Sequence, residues 1–526
     1  MKTSDIKQLP DDVESLQKMV LELQSEREKL QTEMALEEQR WQQKIRYMME
    51  QWQLSLQKRF GASSEGLPGQ GELFNELEDA LEATTDEVAE DQSQTITYTR
   101  QKPRRPRIDE SLPREEVLHD IADEDKVCDC CSHDLHRMGE ETSEELEFIP
   151  ASIKVLRHVR PKYSCRACEK HGTQTAVKIA PVKPSILPKS IATPSLLAQI
   201  ISAKFQFGLP LYRQEAMFKQ YGIELSRQTM SRWMLTISEK LRPLYQCMRD
   251  ILLKQPALWA DETTLNVLDV DKSKCYMWVY GCGTDKPRPD KSPNIVLYDY
   301  QDGRGGAHPA AFLADYCGPL QVDGYQGYEQ TGAQLAGCWA HARRKFIEAK
   351  TVQGKGKSGK ADQALSFIQK LYGVEQKIKD DCPAQKQEKR TDLAQPVMDK
   401  LKIWLDKSAL QVNPQSLLGK AIHYTLKQWD KLQVYLHDGH VNIDNNRAER
   451  AIKPFVIGRK AWLFSNSRGG AQASAILYSM VETAKANGLM PVDYLMMLFE
   501  QLPLLNDGDD LDQLLPWHIN ADKNGQ

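Results

Sequence analysis

Three acidic residues in separate parts of the 526-residue chain have the types and settings that could do chemistry. Asp261 and Asp323 each follow a short apolar stretch, and Glu449 lies in a polar, charged stretch. Carboxylate oxygens are the ligands that Mg²⁺ prefers, and three carboxylates can hold two Mg²⁺ ions, or Mn²⁺ in their place. Two such ions catalyse displacement reactions at phosphodiesters. The three acids therefore predict metal-dependent chemistry on phosphodiester bonds.

Each acid also has a structural interpretation. Asp323 precedes a glycine, which is a turn signal, and the first acid could cap a turn. Glu449 could pair with Lys453 one helical turn later. Asp444 fits a cap for the helix that carries Glu449, and it stays open as a rival third ligand. Glu262 is a weaker rival for the first ligand, so the ligand set is open at two positions.

The elements that must position these acids have β-type composition. Three strands, a helix and two further strands are predicted, over residues 257–268, 275–281, 294–300, 309–316, 318–322 and 334–338. Asp261 is predicted to end the first strand and Asp323 the fourth. In a β-β-β-α-β order those two ends are adjacent, which is the topology of an RNase H-like nuclease core. The helical pattern of residues 351–436 is then an insertion before the helix of Glu449.

The fold class predicted for the whole chain is multidomain α/β. A mixed RNase H-like sheet with an α-helical insertion follows coiled-coil, zinc-binding and helix-turn-helix-like modules, and 526 residues accommodate several such domains. The predicted boundaries are 10–58 for the coiled coil, 61–112 for a flexible acidic and basic linker, 120–180 for the zinc-binding domain, 185–250 for the helix-turn-helix-like region, 255–350 and 437–470 for the catalytic core, 351–436 for the insertion, and 471–526 for a C-terminal helical segment. The last segment is predicted to contain two amphipathic helices.

The N-terminal segment has a seven-residue apolar repeat. Six of its seven a and d positions are apolar, and they are Val13, Leu16, Val20, Leu23, Arg27, Leu30 and Met34. A narrow apolar seam among Glu, Gln and Lys favours a coiled coil that joins two chains. The alternative is an amphipathic helix packed on its own chain.

Two CxxC pairs follow the linker, Cys128 with Cys131 and Cys165 with Cys168. Paired knuckles of this kind place four thiolates around Zn²⁺, and a closed four-thiolate site is structural rather than catalytic. The gap between the pairs is longer than the commonest spacing, and Cys130 could replace one ligand, as could the histidine at position 133. Ordinary buried cysteine is the structural alternative.

A helix-turn-helix pattern lies between the cysteine pairs and the strands. Residues 211–218 and 226–233 read as helices joined by a glycine-containing turn, with Ser226 as the N-cap of the second. That helix would expose Arg227, Gln228 and Arg232 to DNA. Ordinary helical bundles contain the same pattern, so DNA contact here is one of two interpretations.

The net charge of −4 does not exclude DNA binding, because local patches decide contact with phosphates. Residues 100–107 and 343–360 are strongly basic, whereas 72–91 hold nine acidic residues and no basic one. The side chains near the acids that are predicted to bind DNA are His341, Arg343, Arg344, Lys345, Arg459 and Lys460. The alternative for such charge runs is a solvated face.

The N-terminus lacks the apolar stretch of a signal peptide, and no run of about 18 apolar residues occurs. Eleven dispersed cysteines, an odd number, argue for reduced thiols rather than a disulfide framework. We therefore expect a soluble cytosolic protein with no membrane partner.

Taken together, these motifs closely resemble the transposases of the insertion-sequence 66 family, bacterial DDE-type enzymes with an RNase H-like core. The resemblance spans most of the chain through the CxxC pairs and the motifs at residues 59–65, 160–163, 260–263, 322–325, 338–344 and 444–446. It implies that Asp261, Asp323 and Glu449 are the catalytic triad, and that the same element encodes two small companion proteins.

Two positions depart from the family pattern. Ser132 stands where glycine is usual and Cys130 adds a thiol, so the choice of zinc ligands stays open. Gly66 follows the Ser-Ser-Glu motif where lysine is common, a change that is expected to alter only the linker.

The function predicted is that of an insertion-sequence transposase. It would bind the terminal inverted repeats of the element, cleave DNA strands with Mg²⁺, and transfer them to target DNA as a homodimer or higher oligomer at the bacterial nucleoid. One alternative is a non-catalytic, zinc-dependent DNA-binding regulator. Another is a structure-selective nuclease on the same RNase H-like core, which would cut DNA without joining it.

Overall fold

The computed structural model describes residues 13–60, 115, 152–163, 177–271, 274–284, 287, 292–352, 359–506 and 508–519. The chain divides into two units, Met1–Phe74 with Pro181–Gln526, and Asn75–Ala180. In the second unit, β1 (Lys162–Tyr163) pairs antiparallel with β2 (Lys178–Ile179). The predicted zinc ligands lie outside the described residues, and they are Cys128, Cys131, Cys165 and Cys168.

The N-terminal segment of the first unit is one long helix, α1 (Val13–Phe60). No glycine or proline interrupts its 48 residues, and Glu, Gln, Lys and Leu all favour helix. The described apolar side chains of the seven-residue repeat are exposed, and they are Val13, Val20, Leu23, Leu30 and Met34. The predicted helix is confirmed, and its pairing with a second chain stays a prediction.

Three helices precede the sheet: α2 (Pro194–Phe205), α3 (Leu211–Gln220) and α4 (Arg227–Leu252). Gly222, at φ +78°, makes the turn between α3 and α4, and the Ser226 side chain caps α4 by accepting from the Thr229 N–H at 3.2 Å. The predicted pair of helices and the predicted cap are confirmed. The second helix is longer than predicted, because apolar residues continue at helical spacing and enter the core, namely Ile237, Leu241, Leu244 and Met248.

The sheet has five strands: β3 (Leu258–Leu265), β4 (Cys275–Cys282), β5 (Ile295–Gln301), β6 (Pro319–Gln321) and β7 (Gln334–Ala336). Their spatial order is β5-β4-β3-β6-β7. The first three strands pair antiparallel, and β6 pairs parallel with both β3 and β7. A helix, α5 (Ala307–Leu313), connects β5 to β6. The five predicted strands are confirmed, as is the helix between the third and the fourth.

After the sheet, α6 (Trp339–Thr351) leads into five helices that form the insertion: α7 (Lys360–Lys377), α8 (Pro383–Leu393), α9 (Gln395–Ala409), α10 (Leu417–Lys427) and α11 (Trp429–His437). They have a hydrophobic core of their own, which includes Ile368, Leu401 and Leu436. Trp339 and Phe346 of α6 pack in the same core. The insertion therefore packs against α6, the helix that carries the predicted phosphate-binding residues.

The chain returns to the sheet in α12 (Asn446–Trp462), α13 (Arg468–Ala486) and α14 (Pro491–Gln501). The prediction that the last two helices are amphipathic is wrong for α13, in which residues 473–484 are all buried. The physical reason is that α13 covers the edge strand β5. Thr483 Oγ1 accepts from the Val296 N–H at 3.1 Å and donates to the Val296 carbonyl at 2.9 Å. These bonds supply the hydrogen-bond partners that an edge strand lacks.

None of the described helices combines the length and the apolar character needed to cross a membrane. The largest hydrophobic core lies around the sheet and takes residues from α2, α4, α12, α13 and α14. The acids and their surroundings thus lie between two packed cores, that of the sheet and that of the insertion.

Candidate active site

The first two acids lie side by side because of the register of two parallel strands. Leu258 of β3 pairs with Leu320 of β6, and Asp261 and Asp323 each follow their paired leucine by three residues. The prediction that Asp261 ends the first strand is wrong, because β3 continues along its antiparallel partner β4 as far as Leu265. Asp261 instead lies just beyond the point where β3 loses its shorter parallel partner.

Asp261 lies in a crowded, negatively charged setting. Its Oδ1 accepts from the Glu262 N–H at 2.8 Å. Burial, together with the negative charges of Glu262, Asp323 and Glu449, raises the pKa of Asp261 to about 8. The structure therefore brings the three predicted catalytic acids close enough to interact electrostatically.

Glu449 lies in the first turn of α12 and faces the basic side chains of α6. Its Oε1 lies 3.7 Å from His341 Nε2, and its Oε2 lies 3.9 Å from Arg344 Nη2. Burial lowers the pKa of His341, while the Glu449 carboxylate raises it. Glu449 Oε1 is buried without a hydrogen bond from any described residue. This oxygen is thus available to a ligand.

The start of α12 is held by hydrogen bonds that reach three other segments. Asn445 Nδ2 donates to the carbonyl of Ala260, the residue before the first acid, at 2.9 Å. The Asn445 N–H donates to Cys338 Sγ at 3.1 Å, just before α6. Asp444 accepts from the Asn446 N–H at 3.3 Å and from Tyr372 Oη of α7 at 2.9 Å. Asn445, rather than the predicted Asp444, occupies the N-cap position, and Asp444 instead bonds the first N–H of the helix from one residue further out.

Burial raises the pKa of Asp444, and the hydrogen bonds from Tyr372 and Asn446 lower it. Both Asp444 oxygens accept hydrogen bonds, whereas Glu449 Oε1 accepts none from the described residues. Of the two rivals for the third ligand, the geometry therefore favours Glu449.

Glu262, the rival for the first ligand, is already paired. Arg304 donates to its Oε1 through Nε at 2.9 Å and through Nη2 at 2.5 Å. Tyr328 Oη donates to its Oε2 at 2.7 Å. Successive side chains of a strand point to opposite faces. Glu262 is thus bonded on the face opposite to Asp261, which favours Asp261 as the ligand.

The predicted DNA-binding side chains have different surroundings. Lys345 Nζ lies 4.7 Å from the centre of the Tyr424 ring, and Arg343 is partly buried on the same helix, α6. Arg459 donates to Thr263 Oγ1 at 3.2 Å and to the Thr264 carbonyl, so its guanidinium group is bonded to β3. The residues exposed to solvent are Lys460 at the end of α12 and Arg227, Gln228 and Arg232 at the start of α4.

A divalent cation suits the three acids, although they do not form a closed cage. Within the described residues, no group of three or more His, Cys, Asp or Glu is close enough to hold a metal ion. The donor set of Asp261, Asp323 and Glu449 is hard oxygen, which Mg²⁺ and Mn²⁺ prefer. Asp261 lies within electrostatic reach of the other two acids, and the buried Oε1 of Glu449 has no hydrogen-bond donor among the described groups. The residues present therefore fit such an ion.

Comparison with known proteins identifies the family to which the chain belongs. The family described as "Transposase IS66 family" matches residues 189–473, which is more than half of the chain and includes all three acids. The chain belongs to the IS66 transposase family. Three further IS66 families match elsewhere: the zinc-finger binding domain at residues 125–169, the C-terminal element at 479–517, and "Transposase C of IS166 homeodomain" at 47–117. The first of these includes all four predicted zinc ligands.

Full-length relatives of this IS66 family member occur in Sinorhizobium fredii. The uncharacterized protein y4jD is 33% identical and covers 99% of this chain and 98% of its own length. The uncharacterized protein y4qI is 31% identical, with coverage of 98% and 99%. No solved structure matches the chain.

Three residues at the site of this IS66 protein were missed by sequence reasoning. Tyr372 and Arg304 bond to Asp444 and Glu262, and Tyr328 shares Glu262 with Arg304. Tyr372 lies in an ordinary amphipathic stretch of the insertion, so no local pattern singles it out. Tyr328 lies five residues after Asp323, and that proximity is the one signal that could have pointed to it.

Proposed function

We propose that this IS66 family member is a DDE-type DNA transposase with an RNase H-like core. It would bind the terminal inverted repeats of its element, hydrolyse a DNA strand at each end, and join the freed 3′-hydroxyls to target DNA. The observation that carries the proposal is that Asp261 and Asp323 each lie three residues beyond the paired residues Leu258 and Leu320 of two parallel strands, with Glu449 within electrostatic reach of Asp261. A sheet with three antiparallel strands followed by two parallel ones supports the RNase H-like assignment.

In this proposal the three carboxylates hold two Mg²⁺ ions, or Mn²⁺. Such ions would activate the attacking water or 3′-hydroxyl and stabilise the leaving oxygen. In hydrolysis, water forms a bond to phosphorus, the bond from phosphorus to the 3′ oxygen breaks, and a 3′-hydroxyl and a 5′-phosphate result. In transfer, that 3′-hydroxyl forms the new phosphodiester, and the 3′ oxygen of the cut target strand leaves.

The chain's own residues would orient the DNA. Arg344, which lies 3.9 Å from Glu449, would face a phosphate next to the acids, and Lys345 and Arg343 on the same helix would extend that basic face. His341 lies at the inner end of this face, where a lowered pKa favours the neutral imidazole. The exposed start of α4 would read the inverted repeats through Arg227, Gln228 and Arg232.

The N-terminal modules would bring two DNA ends together. Five exposed apolar side chains of the α1 repeat support a coiled-coil homodimer or a higher oligomer. Zinc held by Cys128, Cys131, Cys165 and Cys168 would stabilise the small domain that the zinc-finger match covers. The element's small companion proteins are further proposed partners, and the bacterial nucleoid is the proposed place of action.

Cleavage of DNA that contains the element's ends tests the proposal. We expect wild-type protein to nick such DNA in Mg²⁺ and Asp261→Asn to nick it at least about a hundredfold more slowly, because the isosteric amide removes a ligand charge. Asp299→Asn is the matched control. Asp299 is also a partly buried strand acid, its pKa is raised to about 6 by burial, and it accepts a hydrogen bond from Gln301 on the edge strand. Equal cleavage rates for the two variants would contradict the assignment of Asp261 as a catalytic metal ligand.

Assays of binding, cleavage and joining on the same DNA separate the alternative functions. End binding without any Mg²⁺-dependent cleavage would identify a zinc-dependent regulator. Cleavage without joining to a target plasmid would identify a structure-selective nuclease. The transposase requires both reactions from one protein.

A further inference from the structure

A tyrosine of the helical insertion bonds to the segment that leads into α12, the helix of Glu449. Tyr372 of α7 donates its hydroxyl hydrogen to Asp444 Oδ2 at 2.9 Å. This bond spans 72 residues of sequence and joins α7, which packs in the insertion core, to the segment just before α12, a helix that packs in the core of the sheet. Tyr372 itself packs against the core of the insertion. The hydroxyl group of Tyr372 therefore links the insertion to Asp444, two residues before α12.

Asp444 is in turn hydrogen-bonded to the first residue of α12. Its carboxylate also accepts from the Asn446 N–H at 3.3 Å and from Asn446 Nδ2 at 3.0 Å, which fixes the first residue of α12. Glu449 follows three residues later, within one turn of an α-helix. A small rotation of the start of α12 would therefore move the Glu449 carboxylate relative to Asp261.

A second tyrosine of the insertion lies against the loop of the second acid. A Cβ atom placed on Gly324 would lie 3.1 Å from Tyr424 Oη, so the ring of this α10 residue is close to the backbone next to Asp323. The insertion thus contacts the neighbours of two of the three acids. Of these two described contacts, that of Tyr372 is a hydrogen bond to a carboxylate, and such bonds are stronger than neutral ones.

We propose that Tyr372 is a positioning residue, through which the insertion fixes the place of Glu449 by way of the Tyr372–Asp444 hydrogen bond. Asp444 is then the other half of this pair rather than a metal ligand. The inference rests on the proposed transposase function, and it names Tyr372 as the residue that positions the third metal ligand. Residues that orient a ligand from outside typically change metal affinity or activity by ten- to a hundredfold.

Paired hydroxyl deletions in the full-length protein test this. Tyr372→Phe is expected to raise the Mg²⁺ concentration for half-maximal end cleavage about tenfold, while the Kd for end DNA stays within about twofold. Tyr435→Phe is the matched control, because its ring lies in the same core and its hydroxyl is buried with no hydrogen-bond partner among the described residues. An unchanged Mg²⁺ requirement in Tyr372→Phe would overturn the proposal, as would an equal change in both variants.

A double-mutant cycle tests whether the tyrosine acts through Asp444. If Tyr372 acts through Asp444, adding Tyr372→Phe to an Asp444→Asn variant is expected to change the Mg²⁺ concentration for half-maximal cleavage less than about twofold. Full multiplication of the two single effects would overturn the coupling. Loss of all cleavage in Asp444→Asn, equal to that of Asp261→Asn, would overturn it as well, because a metal ligand behaves in that way.

Hydrogen exchange gives a measurement that does not need activity. Tyr372→Phe is expected to speed amide exchange in residues 444–450 severalfold, and Tyr435→Phe is expected to leave it unchanged. If wild-type protein fails to cleave DNA, the proposed function fails, and faster exchange in Tyr372→Phe alone would still support the coupling. Equal exchange in wild type and Tyr372→Phe would overturn the coupling whatever the cleavage result.

Discussion

The sheet and the helical insertion bury charge in opposite ways. Next to the sheet, Asp261 lies near three other acids, and burial raises its pKa to about 8. In the insertion, Arg390 is 1% exposed and makes two hydrogen bonds to Glu375, at 2.8 and 2.7 Å. Its remaining nitrogen donates to the carbonyls of Tyr435 and Asp438 at 2.6 and 3.0 Å. One region crowds like charges together, and the other pairs opposite charges completely.

This difference separates the roles of the two regions. Buried groups whose charges repel one another reduce the stability of a fold, and perturbed groups of this kind cluster at functional sites. A buried pair with every donor bonded is costly to break, because removal of one partner leaves the other charge uncompensated. We therefore expect mutations of the acids to reduce activity and spare stability, and mutations of the insertion pair to do the reverse.

The largest expected effect is on catalysis. Glu449→Gln is expected to slow end cleavage on the order of a thousandfold, since it removes the charge of the third ligand. Its thermal stability is expected to equal or exceed that of wild type, because one negative charge near Asp261 is lost. Glu482→Gln is the control, a helical acid that is buried and paired with Lys485 away from the site. Cleavage near the wild-type rate by Glu449→Gln would break the comparison.

The opposite pattern is expected for the insertion. Arg390→Met is expected to lower the free energy of unfolding by about 3 to 5 kcal/mol, because Glu375 stays buried without its partner. Urea unfolding followed by circular dichroism measures this change. Lys402→Met, which breaks the exposed pair with Asp406 on α9, is expected to cost less than about 1 kcal/mol. Similar losses in both variants would show that the buried pair has no special role.

Sequence reasoning reached the parts of the site that depend on local patterns. The β-type composition located β3 to β7, and the apolar stretches that precede Asp261 and Asp323 located these two acids. The position of Glu449 depends on hydrogen bonds that Asp444 and Asn445 make with α7, β3 and the residue before α6, across up to 185 residues of sequence. No local pattern encodes such contacts. The buried state of α13 was missed for a related reason, since small and polar residues there face an edge strand rather than solvent.

The crowding around Asp261 predicts a pH dependence in the absence of divalent metal. The pKa of an unfolded aspartate is about 3.9, and the folded value is about 8, so the folded state retains a proton that the unfolded state releases. The contribution of this proton to the free energy of unfolding is fully present below about pH 4 and is lost as the pH rises towards 8.

Urea unfolding with chelator at pH 6 and at pH 8 measures this loss. Between the two pH values, the free energy of unfolding of the wild type should fall by about 2 kcal/mol more than that of Asp261→Asn. Parallel urea midpoints for the two proteins would contradict the raised pKa, and added Mg²⁺ at pH 8 should restore wild-type stability.

The smallest expected effect extends the comparison from buried charges to buried hydroxyls. Thr483 of α13 bonds both the N–H and the carbonyl of Val296, whereas Thr425 of α10 donates only to the Ala421 carbonyl one turn back in its own helix. Both threonines are fully buried, so Thr→Val removes the same atoms at each position. Thr483→Val should cost about 1 to 1.5 kcal/mol more than Thr425→Val in urea unfolding, because it leaves two edge-strand groups without partners. Equal costs would show that α13 holds the sheet edge by apolar packing alone.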